Sequence, residues 1–331
     1  MSLSDKVQVV RFLAQLLRPG ADSRPDPRVQ ETQESAPGGA RFDLYLPSAG
    51  ARGAVVAVHG GDRQGWKNGR LVAFARALAR CQVACVVPEV AGLARCAFDL
   101  ADLDALEQVC SAAEQRLVRR VGLVGFSYGG GYALSLAARP ALASLRFVVA
   151  VGAFADLPSL FDWYAERDRV PPRTREEWDD AIYLRLVLAY WFRAALGVPD
   201  GLCADVESLL DRYCEQASPE EKRSFYEQHL RRLEVFAVAA KAIDRDLLAL
   251  LSPAGKMAQV RCPVTLIHDR FDSIVPEHDA RRLYDELTRA GGGPHRLVVT
   301  EVLSHVTPTR ALDLVGLARL ASALEPLVSQ E

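Results

Sequence analysis

Cysteine is used sparingly and without pattern. Seven occur among 331 residues, an odd number with no short paired spacing, which argues against a disulfide framework and a structural zinc centre. Cys81, Cys85, Cys96, Cys110 and Cys262 sit among apolar neighbours, as small buried hydrophobes do, and point to a reducing compartment. No run of about 18 apolar residues occurs, so no membrane-spanning helix is expected. The opening residues, MSLSDKVQVVRFLAQLL, lack a basic segment followed by an uninterrupted apolar stretch and a small-residue cleavage site. They do not read as a signal peptide, and a cytoplasmic protein is expected. Nor does one sign of charge dominate. Lys and Arg number 40 against 42 Asp and Glu, a formal net charge of −2, which gives the surface as a whole no attraction for nucleic acid or an anionic membrane.

What remains is ordinary globular composition, half hydrophobic and a quarter charged, in a chain long enough to bury a full core. Residues 3–18 have helical spacing and end at Pro19-Gly20. Their two arginines and one lysine are few for a membrane anchor; packing on the main domain, or on a second subunit of a homodimer, is expected. Residues 21–40, rich in proline, glycine and polar residues, read as a loop. From residue 40 short apolar runs alternate with helical patterns: 41–47, 53–60, 83–90, 120–127 and 146–154 as strands, 68–80 and 100–118 as helices. Continuous apolar strands between helices signify a parallel sheet covered on both faces. The alternation stops over 155–250, where aromatic and charged residues recur at helical spacing. Strands return at 263–269 and 295–302, and a helix follows over about 308–327. The expected organisation is an N-terminal helix and loop (1–39), an α/β core (40–154 and 251–331) and a helical insertion (155–250).

The sharpest motif is Gly125-Phe126-Ser127-Tyr128-Gly129-Gly130, placed where a strand ends and a helix begins. Glycines two residues either side of the serine allow a strained tight turn that projects the hydroxyl outward, and the helix start supplies N–H groups and positive dipole. A glycine-rich turn at a Rossmann-like strand end would show similar letters; the strand-to-helix placement favours the nucleophile. His59-Gly60-Gly61-Asp62 follows the strand 53–58, where a backbone N–H can help hold an oxyanion. The N–H groups of Tyr128 and Gly61 are the expected donors, with Gly60 competing. His59 is expected to brace this loop by hydrogen bonding.

A serine nucleophile needs a base. Of His59, His229, His268, His278, His295 and His305, only His305 follows the last strand in a loop that opens on the same sheet edge as Ser127. The base needs an orienting carboxylate. His268-Asp269-Arg270-Phe271-Asp272 follows the strand 263–268 and offers two: Asp272, in the loop proper, is preferred, and Asp269, close to the strand, is the alternative.

Together, GFSYGG at a strand–helix elbow, HGG after an earlier strand, H-x-x-x-D-x-x-V-P and a late histidine resemble the α/β-hydrolase superfamily, as does the chain order Ser, Asp, His. The resemblance covers about 40–155 and 260–327. It implies a mostly parallel, twisted, eight-stranded sheet flanked by helices, with a helical cap inserted between strands 6 and 7. It also implies a catalytic triad of Ser127, Asp272 and His305 that works through an acyl-enzyme on a small-molecule acyl substrate, without metal or organic cofactor. Many relatives have glycine where this chain has Asp269; aspartate tolerates the left-handed conformation, so the turn survives. Carboxylic ester hydrolysis is the first expectation. Thioesterase, amidase, peptidase and acyltransferase activities would use the same groups, and a non-catalytic ligand-binding protein on this fold is the remaining alternative. At and within the expected cap, Phe154 and Trp163 are the substrate-wall candidates from a set that also holds Phe161, Tyr164, Trp178, Tyr190 and Trp191, although for any single one packing in the core of the cap is the favoured role. Arg167, Arg169, Arg173 and Arg175 would suit an acidic substrate or simply a solvated helix face.

Overall fold

The computed structural model describes residues 3–16, 26–95, 98–167, 172, 175–196, 206–291, 293–308 and 314–329. Eight strands form one sheet: β1 (Val29–Ser35), β2 (Arg41–Pro47), β3 (Gly53–Val58), β4 (Val83–Pro88), β5 (Gly122–Phe126), β6 (Val148–Val151), β7 (Val264–Asp269) and β8 (Arg296–Thr300). Their order is β1-β2-β4-β3-β5-β6-β7-β8. The junctions β1/β2 and β2/β4 are antiparallel, and every later junction is parallel. Strands β3, β4, β6 and β7 are buried along their whole length, because helices cover both faces of the parallel part; that is why they read as unbroken apolar runs.

The first strand corrects the sequence reading. Residues 21–40 carry β1 within what was expected to be loop; residues 21–25 lie outside the described residues. Only Val29 of β1 is buried, and most of VQETQES is exposed. An edge strand held by ladder bonds to β2 needs no apolar alternation, so periodicity cannot find it.

The chain runs outward from β3 through α2 (Gly69–Arg80) to β4, then returns through α3 (Ala91–Arg95) and α4 (Leu100–Leu117) to β5 on the other side of β3. This reversal opens a crevice at the carboxyl ends of β3 and β5, where ligands bind in open α/β sheets. Helix α5 (Tyr128–Ala137) crosses from β5 to β6, and the helix Glu277–Ala290 crosses from β7 to β8. On one face, α1 (Leu3–Leu16), α2 and the C-terminal helix Leu314–Val328 pack against Val55, Val124, Val149 and Ile267. Phe12 of α1 meets Phe74 edge-on, and Phe74 meets Phe126 the same way.

By its contacts the chain divides into two compact units, one of Met1–Ala155 with Leu250–Glu331 and one of Asp156–Ala249. Among its described residues the second holds helices and no strand, with its own core of Ile182, Leu186, Val206, Phe225, Tyr226 and Leu230. Phe161 and Tyr164 are buried and pack edge to face, and Trp178 meets Tyr226 at 5.1 Å. These aromatics serve the unit's interior. Trp163 is half-buried beside Tyr164, and Tyr190 packs against the core. Arg169 and the side chains of Arg167, Arg173, Arg175 and Trp191 lie outside the described residues.

Cys81, Cys85, Cys110 and Cys262 are buried free thiols, and burial pushes each upward in pKa, away from reactive thiolate; Cys96 lies outside the described residues. No helix among the described residues is long and apolar enough to cross a membrane.

Candidate active site

Ser127 follows β5 directly and stands at the N-cap of α5, but its side chain does not cap the helix. Its backbone takes φ 54°, ψ −125°, a strained conformation for a residue with a side chain. The surroundings enforce it. The Ser127 N–H donates to the Val151 carbonyl at 2.8 Å, continuing the β5–β6 ladder into the turn. A Cβ on Gly125 would lie 2.2 Å from the Gly129 carbonyl oxygen, and one on Gly129 would lie 2.2 Å from the His59 carbonyl oxygen. Only glycine lets strand, elbow and helix approach this closely.

The loop after β3 lies against this elbow: a Cβ on Gly60 would stand 3.0 Å from Ser127 Cβ. Tyr128 opens α5, with its N–H in the first turn, where backbone donors point out of the helix. The Tyr128 ring is buried between Phe98 and Phe154, 5.7 Å from each. Phe154 is itself wholly buried, its ring filling the space that a side chain at Gly131 would need. It packs against the elbow helix and offers no open wall. His59 is buried, with Nδ1 2.7 Å from the Gly60 carbonyl oxygen. Burial lowers its pKa despite that bond, so the ring is neutral.

His305 sits in the two-residue turn of a short hairpin, β9 (Leu303–Ser304) with β10 (Thr307–Pro308), which no sequence pattern announced. Its φ of 53° is left-handed, as such turns require. Its Nδ1 is 2.6 Å from Asp272 Oδ2. The other Asp272 oxygen accepts the N–H groups of Ile274 at 2.9 Å and Val275 at 2.8 Å. Burial would raise the Asp272 carboxyl, but the charge and hydrogen bond of His305, with help from His268 and the Val275 N–H, outweigh it and hold the pKa below the usual carboxylate value. Ser127, Asp272 and His305 are 9%, 5% and 8% exposed, so the interactions among these groups are weakly screened.

One residue missed in the sequence connects serine and histidine. Gly152 follows β6 with φ 61°, beside Ser127 in the ladder, and a Cβ there would lie 2.9 Å from the His305 ring. The signal available was a glycine closing an apolar strand. Ser127, Gly152, Asp272 and His305 thus follow β5, β6, β7 and β8, four neighbouring strands of one sheet edge.

Asp269 does something else. It ends β7 in register with Thr300, and its carboxylate accepts the Phe271 N–H at 3.2 Å. It is not among the residues with positive φ, so the left-handed turn expected there does not occur. His229 belongs to the helical unit beside Phe225, and His278 is exposed next to Asp279. Among the described residues, no group of three or more His, Cys, Asp or Glu could hold a metal ion.

Residues 55–315 match the Alpha/beta hydrolase family. The chain belongs to that family. No curated protein sequence matches it. Among solved structures, this α/β hydrolase is similar to an esterase of Pyrococcus furiosus, with 13% identity, 94% of each chain covered and a TM-score of 0.53. It also resembles the acylaminoacyl peptidase of Pyrococcus horikoshii (13% identity, TM-score 0.50, 89% of this chain and 39% of that one). Dipeptidyl peptidase 4 of Porphyromonas gingivalis is a third (10% identity, TM-score 0.52, 91% and 35%). At such identities the likeness is one of fold.

Proposed function

We propose that this chain is a serine hydrolase that cleaves carboxylic esters, with Ser127 as nucleophile, His305 as general base and acid, and Asp272 as the carboxylate that orients His305. The observation that carries this reading is the buried 2.6 Å bond between His305 Nδ1 and Asp272, on the same sheet edge as a serine held at φ 54°. With Nδ1 committed to the carboxylate, Nε2 is the nitrogen left to accept the serine proton. Ser127 Oγ adds to the ester carbonyl while its proton passes to His305. The tetrahedral oxyanion is held by the N–H groups of Tyr128 and of Gly61 or Gly60. His305 then returns the proton to the leaving alcohol, and a water activated by His305 releases the acid from the acyl-enzyme. Asp272, kept ionised, stabilises the imidazolium in between. The residues need no metal or organic cofactor for these steps. The wall of the acyl site is assigned to the surroundings of Tyr128, between Phe98 and Phe154.

Labelling with a fluorophosphonate probe tests this. The wild-type chain is expected to carry the adduct on the peptide containing Ser127, and Ser127→Ala to carry none while keeping its thermal midpoint. Short p-nitrophenyl esters should turn over, with thioester and anilide panels and added alcohol acceptors ranking the chemistries. A well-folded wild type that neither labels nor hydrolyses activated esters would end the proposal.

A further inference from the structure

We propose that His268 is a positioning residue for the Asp272–His305 pair, its imidazole tying the loop that carries Asp272 to strand β7 and steering Asp272 Oδ2 toward His305. The proposal rests on the serine-hydrolase reading for its role in turnover, although its geometry stands apart from it. His268 is the penultimate residue of β7, paired with Val299 of β8, and is 0% exposed. Its Nε2 lies 2.8 Å from the Val275 carbonyl oxygen. A carbonyl only accepts, so Nε2 carries the proton. The same Nε2 is 3.5 Å from Asp272 Oδ2. That oxygen therefore lies between two imidazole edges, His305 Nδ1 at 2.6 Å and His268 Nε2 at 3.5 Å.

Val275 is held at both ends. Its N–H donates to Asp272 Oδ1 at 2.8 Å, and its carbonyl receives His268. One buried ring thus secures the backbone that secures the carboxylate. The start of the loop is tied to the strands by the Arg270 N–H on the Thr300 carbonyl at 2.8 Å and the Phe271 N–H on Asp269 at 3.2 Å, whereas the His268 bond secures its far end at Val275. Meanwhile His268 Nδ1 is buried and makes no hydrogen bond among the described residues. Packing alone would be better served by leucine, since a buried polar atom without a partner is destabilising. An imidazole retained here does something that an apolar side chain cannot.

The titratable groups facing the ring are Asp272 and His305, with Asp279 from the helix Glu277–Ala290. Asp279 is buried and accepts the Ala155 N–H at 2.9 Å. Burial lowers the His268 pKa against the pull of both carboxylates, so the ring acts as a neutral N–H donor.

Replacing His268 by leucine in the full chain, and by glutamine, whose amide N–H can reach the Val275 carbonyl, separates positioning from packing. On p-nitrophenyl butyrate, H268L is expected to lose kcat by about 10- to 100-fold, the range seen when a partner that orients a functional side chain is removed, with KM nearly unchanged. Its acid limb in kcat/KM should move to lower pH, because an Asp272 no longer steered onto His305 Nδ1 stabilises the His305 proton less. H268Q should recover most of both. A readout that needs no turnover is the downfield proton resonance of the His305–Asp272 hydrogen bond, which should shift or broaden in H268L and return in H268Q. If H268L does not fold, H268N, too short to reach Val275, replaces it. Wild-type kcat, acid limb and proton resonance in H268L would overturn the role of His268, as would equal losses in H268L and H268Q with the resonance unmoved. These failures are distinct from failure of the serine-hydrolase reading, which shows as a wild type without labelling or turnover and leaves the resonance to decide the role of His268.

Discussion

At the scale of the residue, the site separates two aspartates that stand three positions apart. Asp272 bonds to His305 and receives two backbone N–H groups, whereas Asp269 accepts the Phe271 N–H within its own turn. Asp272→Asn can donate where it must accept, which favours the wrong tautomer of His305, and kcat is expected to fall by about 10⁴-fold. Asp269→Asn keeps the oxygen that Phe271 uses and should stay within about 10-fold of wild type in the same ester assay. Asp102 gives a prediction in stability. It is buried in the first turn of α4, and Oδ1 accepts the Gly92 N–H at 3.1 Å. Burial raises its pKa to about 6. Below about pH 4 the carboxyl is protonated in both states and neutral in the fold. Between there and pH 6 the unfolded chain releases the proton while the folded chain keeps it, so stability falls as pH rises, and above pH 6 the full penalty remains. Asp102→Asn, which retains an acceptor for Gly92, should therefore stabilise the protein at pH 8 by on the order of 1–2 kcal/mol, discounted for screening near Asp99 and Arg95. Urea unfolding at pH 8 and at pH 4 checks it: the gain should vanish at the lower pH, and an equal gain at both would exclude the charge as its origin.

At the scale of the element, α4 ends on a residue that its backbone does not suit. Val118 has φ 51° in the left-handed region and is 89% exposed, so its branched side chain is strained and buries almost nothing. Val118→Gly should stabilise by about 1 kcal/mol in chemical denaturation, the relief of left-handed strain exceeding the added chain entropy. Strand β1 makes the opposite point. Its polar letters hide a full seven-residue register against β2, from Val29 opposite Pro47 to Ser35 opposite Arg41. Hydrogen exchange should find alternate amides of 29–35 protected to the level of β2; uniform fast exchange would remove β1 from the sheet. The hairpin Leu303–Pro308 is equally invisible in the letters, yet its turn is what gives His305 the left-handed backbone that turns its ring onto Gly152.

At the scale of the molecule, the N-terminal helix belongs to the core of the larger unit. Phe12 is 0% exposed and Val9 is buried with it, in the same cluster as Leu320, Leu324 and Leu327 of the C-terminal helix. Phe12→Ala removes an aromatic wedge that meets Phe74 and should cost about 3–5 kcal/mol, read as a lowered urea midpoint. A change under 1 kcal/mol would mean that α1 contributes little to this core. The sheet order sets the functional edge. Because the chain reverses between β4 and β5, the loops after β3 and β5 open side by side, and Gly60 meets Ser127 there.

The apolar runs between helical patterns by themselves pointed to a parallel sheet buried on both faces and marked seven of its eight strands, but not the polar edge strand or the order in which the strands lie side by side. Ser127 was equally legible, since the steric demands of its elbow are local and are met by glycines two residues away. The partnership of His305 with Asp272 joins residues 33 positions apart, and no periodicity encodes a through-space pairing. The sequence already preferred Asp272 to Asp269 for its place in the loop, but only the tertiary structure could bring Asp272 to His305, place Gly152 against the His305 ring, and set His268 behind the carboxylate. Each of those depends on where separate strands end relative to one another in a twisted sheet, and that is decided by the packing of the whole core.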